Sequence, residues 1–127
     1  MRLELNTSKK LAEEPTTGHN RWHPDIEPLA RIAPDEELTL ETRDGIDGQL
    51  NESSTHADAA TLDLGLGHPL SGPIFVESAL PGDVLEVEFV AFEAAEFGVA
   101  AIIPGFGFLA DLFNDPFVAK FRLADGF

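Results

Sequence analysis

Apolar and polar positions alternate along much of this chain, which is the period of a half-buried strand. The pattern is strongest over 84–92, where Leu85, Val87, Phe89 and Ala91 fall on one face and Glu86 and Glu88 on the other. A shorter copy runs over 38–43, with Leu38 and Leu40 set against Thr39 and Glu41. Pro73 to Glu77 is a third predicted strand, rich in β-branched residues. Leu3 and Leu5 mark a short edge strand, and Phe121 and Leu123 predict another over 120–127. Turn chemistry separates these segments. Pro34–Glu41 parallels Pro81–Glu88, each a Pro-led turn feeding an alternating strand that ends in Glu. Such a match arises readily in any turn-rich β protein and does not require duplication. Pro81 presets φ and Gly82 supplies the positive φ of a type II turn. Helix signals are few. Asp58 can cap a helical turn through 59–64, and a short helix is expected from Leu109 to Phe113, ended by Asn114-Asp115-Pro116. Residues 1–16 read as a loosely ordered arm and 51–67 as a surface loop. The sum is one mainly β domain, sandwich or jelly-roll-like, with short helical turns.

Composition reinforces that picture and narrows the chemistry. The 127 residues include ten Phe, no Tyr, nine Pro and 11 Gly. Without cysteine there is no disulfide framework, thiolate metal site or cysteine nucleophile. Eight basic residues against 23 acidic ones give a net charge of −15. That balance opposes nucleic-acid binding by phosphate neutralisation and association with anionic lipid. Its self-repulsion is relieved by concentrated salt, so a salt-adapted source competes with an ordinary acidic protein. The first ten residues lack the apolar core of a secretory signal, and no apolar run approaches the length of a membrane span. A cytoplasmic protein is the expectation.

The densest chemistry is His19-Asn20-Arg21-Trp22-His23-Pro24-Asp25-Ile26. Pro24 drives His23 to an extended conformation, which makes this a loop or strand end, where functional groups concentrate. A turn pinned by tryptophan is the plainer reading. His19 is the first candidate for metal or substrate binding. His23 is a weaker one, Trp22 a wall or core residue, and Asp25 a partner for Arg21 or a turn cap. Asp44 and Asp47 offer oxygen ligands to a hard cation, and Gln49 a hydrogen bond to an amide carbonyl or oxyanion. The same residues also make an ordinary Asx turn. His68, before Pro69, is a ligand or a hinge. Glu41, on the polar face of its strand, points into a cleft or into water, and Glu77 is a ligand or an exposed charge. Gly105 and Gly107 suit an oxyanion site or a tight turn, and Asp111 a helix first turn. Ser71 more readily ties its turn than attacks a substrate. His56 reads as solvated, and the Phe-rich segment 97–113 as either core or interface.

Five motifs together resemble one family. They are His19–Ile26, Glu41-Thr42-Arg43-Asp44-Gly45-Ile46-Asp47-Gly48-Gln49, His68–Glu77, Pro81–Val87 and Gly105-Phe106-Gly107-Phe108-Leu109-Ala110-Asp111. Their order and rough spacing are similar to those of the acetamidase/formamidase family, the first motif being closest to the formamidase branch. The resemblance implies hydrolysis of short linear amides such as formamide or acetamide to a carboxylate and ammonia. It also implies a β-rich, cytoplasmic oligomer and a divalent metal, zinc or calcium, at the site. On that basis His19, Asp44, Gln49 and His68 are the expected catalytic residues, and His19 and Asp44 the expected metal ligands. Family chains reach three hundred residues or more. Their later Gly-Gly-Asn-(Met/Leu)-Asp and Gly-Asp-x-His-Ala-x-Gln-Gly-Asp-Gly-Glu segments do not occur here. The chain therefore resembles an N-terminal portion, an incomplete part of a larger fold. It would work as a homo-oligomer or with a partner supplying the missing half. The alternative is a non-catalytic β-rich assembly or binding module derived from the same scaffold. A cupin-like metal module would need a tight His-x-His, which is absent.

Overall fold

The computed structural model describes residues 1–123. They contain eight strands: β1 (Arg2–Leu3), β2 (Gly18–His19), β3 (Ala30–Ile32), β4 (Thr39–Leu40), β5 (Leu70–Ser71), β6 (Ile74–Val76), β7 (Phe97–Ile102) and β8 (Phe117–Arg122). Helix is confined to one turn, α1 (His56–Ala59), and to 3-10 turns at Leu11–Glu13 and Leu64–Leu66. The chain is thus mainly β, as the alternation predicts. No helix among the described residues is long and apolar enough to cross a membrane. The strands form four two-stranded ladders, and the chain divides into two compact units.

The first unit comprises Met1–Gly48 and Leu64–Glu86. Here β1 pairs with β4 and β3 with β6 in parallel, and β2 pairs antiparallel with β5. Its buried centre is polar. Arg43 and Asp47 are 8% and 5% exposed, and both reach the first seventeen residues. The Arg43 guanidinium donates to the carbonyls of Asn6 and Lys9, to the Glu14 carboxylate at 3.2 Å and to Thr17 Oγ1 at 2.9 Å. Glu41 accepts the Leu5 N–H at 2.7 Å. Residues 1–16 have no periodic pattern, yet side chains from 41–47 hold them in place.

The second unit comprises Gln49–Asp63 and Val87–Phe127. Its β7 and β8 pair antiparallel over six positions, from Phe97 opposite Arg122 to Ile102 opposite Phe117. Leu50, Ala59 and Val118 are its buried core side chains among the described residues. The His56 side chain is exposed, as expected, and its ring stacks on Phe117 with centroids 4.5 Å apart. Its Nδ1 accepts the Val118 N–H at 2.9 Å, which joins α1 to β8.

Three expectations need correction. The strand predicted over 84–92 pairs with nothing: residues 84–95 form no backbone hydrogen bond among the described residues. Alternation gives a segment its two faces but not its neighbour. The helix expected at 109–113 is a single turn, closed by Phe113 N–H to Leu109 O at 3.0 Å. One turn is too short to sustain itself, and the Asn-Asp-Pro that follows ends it. Asp58 lies inside α1 rather than ahead of it. Thr55 is the N-cap, and the Asp58 carboxylate reaches back to the Thr55 N–H at 2.6 Å and Oγ1 at 2.8 Å. That geometry holds the Asp58 carboxyl below the usual range, chiefly through the Thr55 backbone bond. The part of the predicted strand 120–127 beyond Leu123 lies outside the described residues.

Candidate active site

The first unit carries a cavity of about 320 Å³, toward the lower end of ligand-pocket sizes of roughly 300–1,000 Å³. Leu11, Pro15, Ile26 and Leu66 give it apolar walls, and His19, Arg21 and Asp47 supply charge and hydrogen-bonding capacity. Most small-molecule sites share this make-up, an apolar cleft with a few converging polar groups.

β2 sets the position of His19. Gly18 lies opposite Ser71 and His19 opposite Leu70. A Cβ at Gly18 would fall 2.4 Å from the Leu70 carbonyl oxygen, so the close approach of β5 demands glycine here. After His19 the chain leaves the sheet. The His19 Nδ1 lies 2.9 Å from the Arg21 carbonyl oxygen. A carbonyl can only accept, so Nδ1 carries the proton and Nε2 keeps its lone pair in the neutral ring. The Trp22 indole stands edge-on to this imidazole, 5.8 Å between centroids, and is 87% exposed. It is neither a core residue nor a closed wall.

Asn20 and Arg21 fix the rest of the loop. Asn20 Nδ2 donates to the Gly65 carbonyl at 2.9 Å, and Arg21 reaches the same oxygen at 3.3 Å. Arg21 therefore pairs with a carbonyl of the 64–66 turn and not with Asp25. It is His23 that meets Asp25, accepting its N–H through Nδ1 at 3.2 Å on the open surface.

The 44–48 turn meets the cavity through Asp47. Asp44 Oδ1 accepts the Ile46 and Gly48 N–H groups at 3.0 and 3.1 Å, and the exposed Asp44 side chain serves as the Asx anchor of the turn. Asp47 adopts φ 56°, and both of its carboxylate oxygens accept the Leu11 N–H at 3.0 Å. The His68 N–H donates to the Gly45 carbonyl at 2.8 Å. The backbones of 44–48 and 64–68 thus come together, with the His68 side chain exposed. Gln49 belongs to the second unit, where its amide donates to the Asp63 carbonyl at 3.0 Å and accepts the Asp63 N–H at 2.8 Å.

Of the four expected catalytic residues, then, only His19 lines the cavity. Asp47, Arg21 and Leu66 are the additions, and the sequence named Asp47 only as a secondary member of the Asp44 cluster. The oxygens of a turn aspartate point inward or outward according to φ, which a sequence does not print. Among the described residues no three of His, Cys, Asp and Glu are grouped to hold a metal ion. Asp44 Oδ1 accepts two N–H groups of its turn and Asp47 the Leu11 N–H, so among the described residues this chain does not by itself assemble the expected metal site. Two buried polar atoms lack partners among the described residues, Arg43 Nε and Ser71 Oγ. Ser71 therefore does not tie its turn. Glu77 and Asp111 are exposed, and Gly105 and Gly107 take the positive φ of an exposed turn.

The sequence model of the Acetamidase/Formamidase family matches residues 4–127. The chain belongs to the acetamidase/formamidase family. It is 35% identical to the acetamidase of Mycolicibacterium smegmatis, over 92% of this chain and 32% of that one. It is 36% identical to the formamidase of Methylophilus methylotrophus, over 89% of this chain and 29% of the relative. Among solved structures, the gamma lactamase from Delftia acidovorans superposes with a TM-score of 0.81 at 27% identity, covering 98% of this chain and 32% of its own. The acetamidase from Bacillus halodurans gives 0.72 at 25% identity, over 96% and 37%. The chain thus spans about a third of the acetamidase/formamidase relatives it matches, and it has the fold of that portion.

Proposed function

We propose that this chain forms one wall of the active site of a hydrolase acting on short linear amides, with His19 as its proton-transfer group. The observation that carries this is the His19 Nδ1 bond to the Arg21 carbonyl, which turns a lone-pair-bearing Nε2 into a general base beside a small cavity. In this reading Nε2 takes a proton from water as its oxygen attacks the amide carbonyl. The proton passes to the leaving nitrogen as the C–N bond breaks, giving a carboxylic acid and ammonia, and the acid's proton moves to ammonia to leave a carboxylate and ammonium. Arg21, on the cavity wall, places positive charge near the developing oxyanion. The named acetamidase and formamidase relatives support the reaction class. In this reading the pocket is completed by residues from the part of the family fold that this chain does not span. The chemistry assigned to His19 draws on no metal.

Trp22 is the only tryptophan and stands beside His19, so its fluorescence reports on the cavity. Formamide or acetamide added to the chain is expected to change Trp22 emission saturably, and His19→Ala to abolish the change. A non-saturable response, or one that survives His19→Ala, would remove this assignment. In the completed enzyme, His19→Ala is expected to lower ammonia release at least a hundredfold, a typical general-base contribution being about 10²–10⁴-fold.

A further inference from the structure

We infer that Asn20 is a positioning residue of the site, and that its bond across to the 64–66 turn selects the tautomer of His19. The inference rests on the proton-transfer role proposed for His19 and names the residue that sets it. Nε2 can act as a base only while the proton of the neutral ring sits on Nδ1. The Arg21 carbonyl, 2.9 Å from Nδ1, keeps it there. Whatever holds that carbonyl in place therefore holds the lone pair at Nε2.

The sheet does not hold it. β2 ends at His19, and outside the β2–β5 ladder residues 20–22 make no backbone–backbone hydrogen bond among the described residues. The loop next ties to itself at Ile26, whose N–H reaches the His23 carbonyl at 3.3 Å. Trp22 is 87% exposed, so packing does not pin it. Two side chains are left, and both end on the Gly65 carbonyl oxygen. Asn20 Nδ2 donates to it at 2.9 Å, near the most common length for such a bond. Arg21 Nη2 reaches it at 3.3 Å, past the usual range. Arg21 Nη1 donates to the Asn20 carbonyl at 2.6 Å, which joins neighbours and leaves the loop as a whole free to turn. Asn20 is thus the stronger tie between the His19 loop and the turn whose Leu66 lines the cavity. Once that tie is cut, the peptide carrying the Arg21 carbonyl can rotate away from Nδ1. The proton then spreads over both ring nitrogens, and an Nε2 that carries it accepts nothing from water.

The test reads the ring nitrogens of His19 by nitrogen NMR in the chain labelled on histidine, at alkaline pH with the ring neutral, His19→Ala identifying the signals. The natural chain is expected to show a protonated Nδ1 and a bare Nε2. Asn20→Ala is expected to lower the ratio of the Nδ1–H to the Nε2–H form about fivefold, the factor set by one hydrogen bond of ordinary net strength. Asn20→Asp keeps the shape of the side chain but cannot donate to Gly65, and it is expected to do the same. An unchanged ratio in either variant would overturn the inference. A residue that merely ties the fold would lower the melting temperature and leave the tautomer alone. A natural chain whose Nε2 carries the proton would overturn it as well. No substrate enters this measurement. A tautomer that shifts in Asn20→Ala, in a chain whose Trp22 response to amide survives His19→Ala, would count against His19 as the base and leave Asn20 as the residue that orients its ring.

Discussion

At the scale of single residues, the first unit is governed by two features the sequence shows only indirectly. Gly18 is one. Its missing Cβ lets the Leu70 carbonyl approach, and Leu11 Cδ1 stands 3.3 Å away. Gly18→Ala is expected to cost about 1–3 kcal/mol, read by chemical denaturation, and to loosen the His19 loop that β2 positions. Arg43 is the other. Its guanidinium lies between Glu14, Thr17 and two carbonyls, and Lys9, followed by Arg43, holds the Glu14 carboxyl below the usual carboxylate range. A carboxyl depressed in the folded chain stabilises it above the unfolded value, near 4.5. That contribution disappears as acid takes the pH down through the lower folded value. Thermal melts between pH 6 and pH 3 are expected to show a steeper loss below about pH 4.5 in the natural chain than in Glu14→Gln. The His19 motif was legible as chemistry because six polar or aromatic side chains crowd into one short run. Asp47 and Arg43 were not, because a charge destined for the interior looks in sequence like any surface charge.

The elements show what periodicity can and cannot tell. Strand β4 lies where alternation put it and β6 where β-branched residues did, and the Leu80–Asp83 turn closes as its Pro-Gly predicts, with Asp83 N–H to Leu80 O at 3.0 Å. The longest ladder, β7 with β8, was missed at β7. Gly98, Ala100 and Ala101 have weak strand preference, and it is pairing with 117–122 that makes them a strand. The reverse holds for 84–92, where the preference is strong and the pairing absent. Helix α1 depends on its reciprocal cap. Asp58→Ala is expected to lower stability, read by chemical denaturation, and to speed amide exchange at the Val118 N–H, which His56 holds from the same turn.

On the scale of the whole chain, net charge of −15 and sparse apolar burial act together. Repulsion among carboxylates is reduced when the Debye length shortens to about 3 Å in molar salt. The melting temperature is expected to rise between 0.1 and 2 M KCl, and a flat profile would exclude salt adaptation. The order of synthesis has a consequence of its own. The arm's polar partners lie far along the chain: Glu41 is 36 residues from Leu5, Arg43 26 to 37 from the groups it binds, and Asp47 36 from Leu11. The stretch 1–17 is synthesised before 41–47, whose side chains hold it in the folded chain. Closure over Arg43 is then a long-range step of the kind that slows folding, and until it happens the cavity that Leu11 and Pro15 help to wall does not exist.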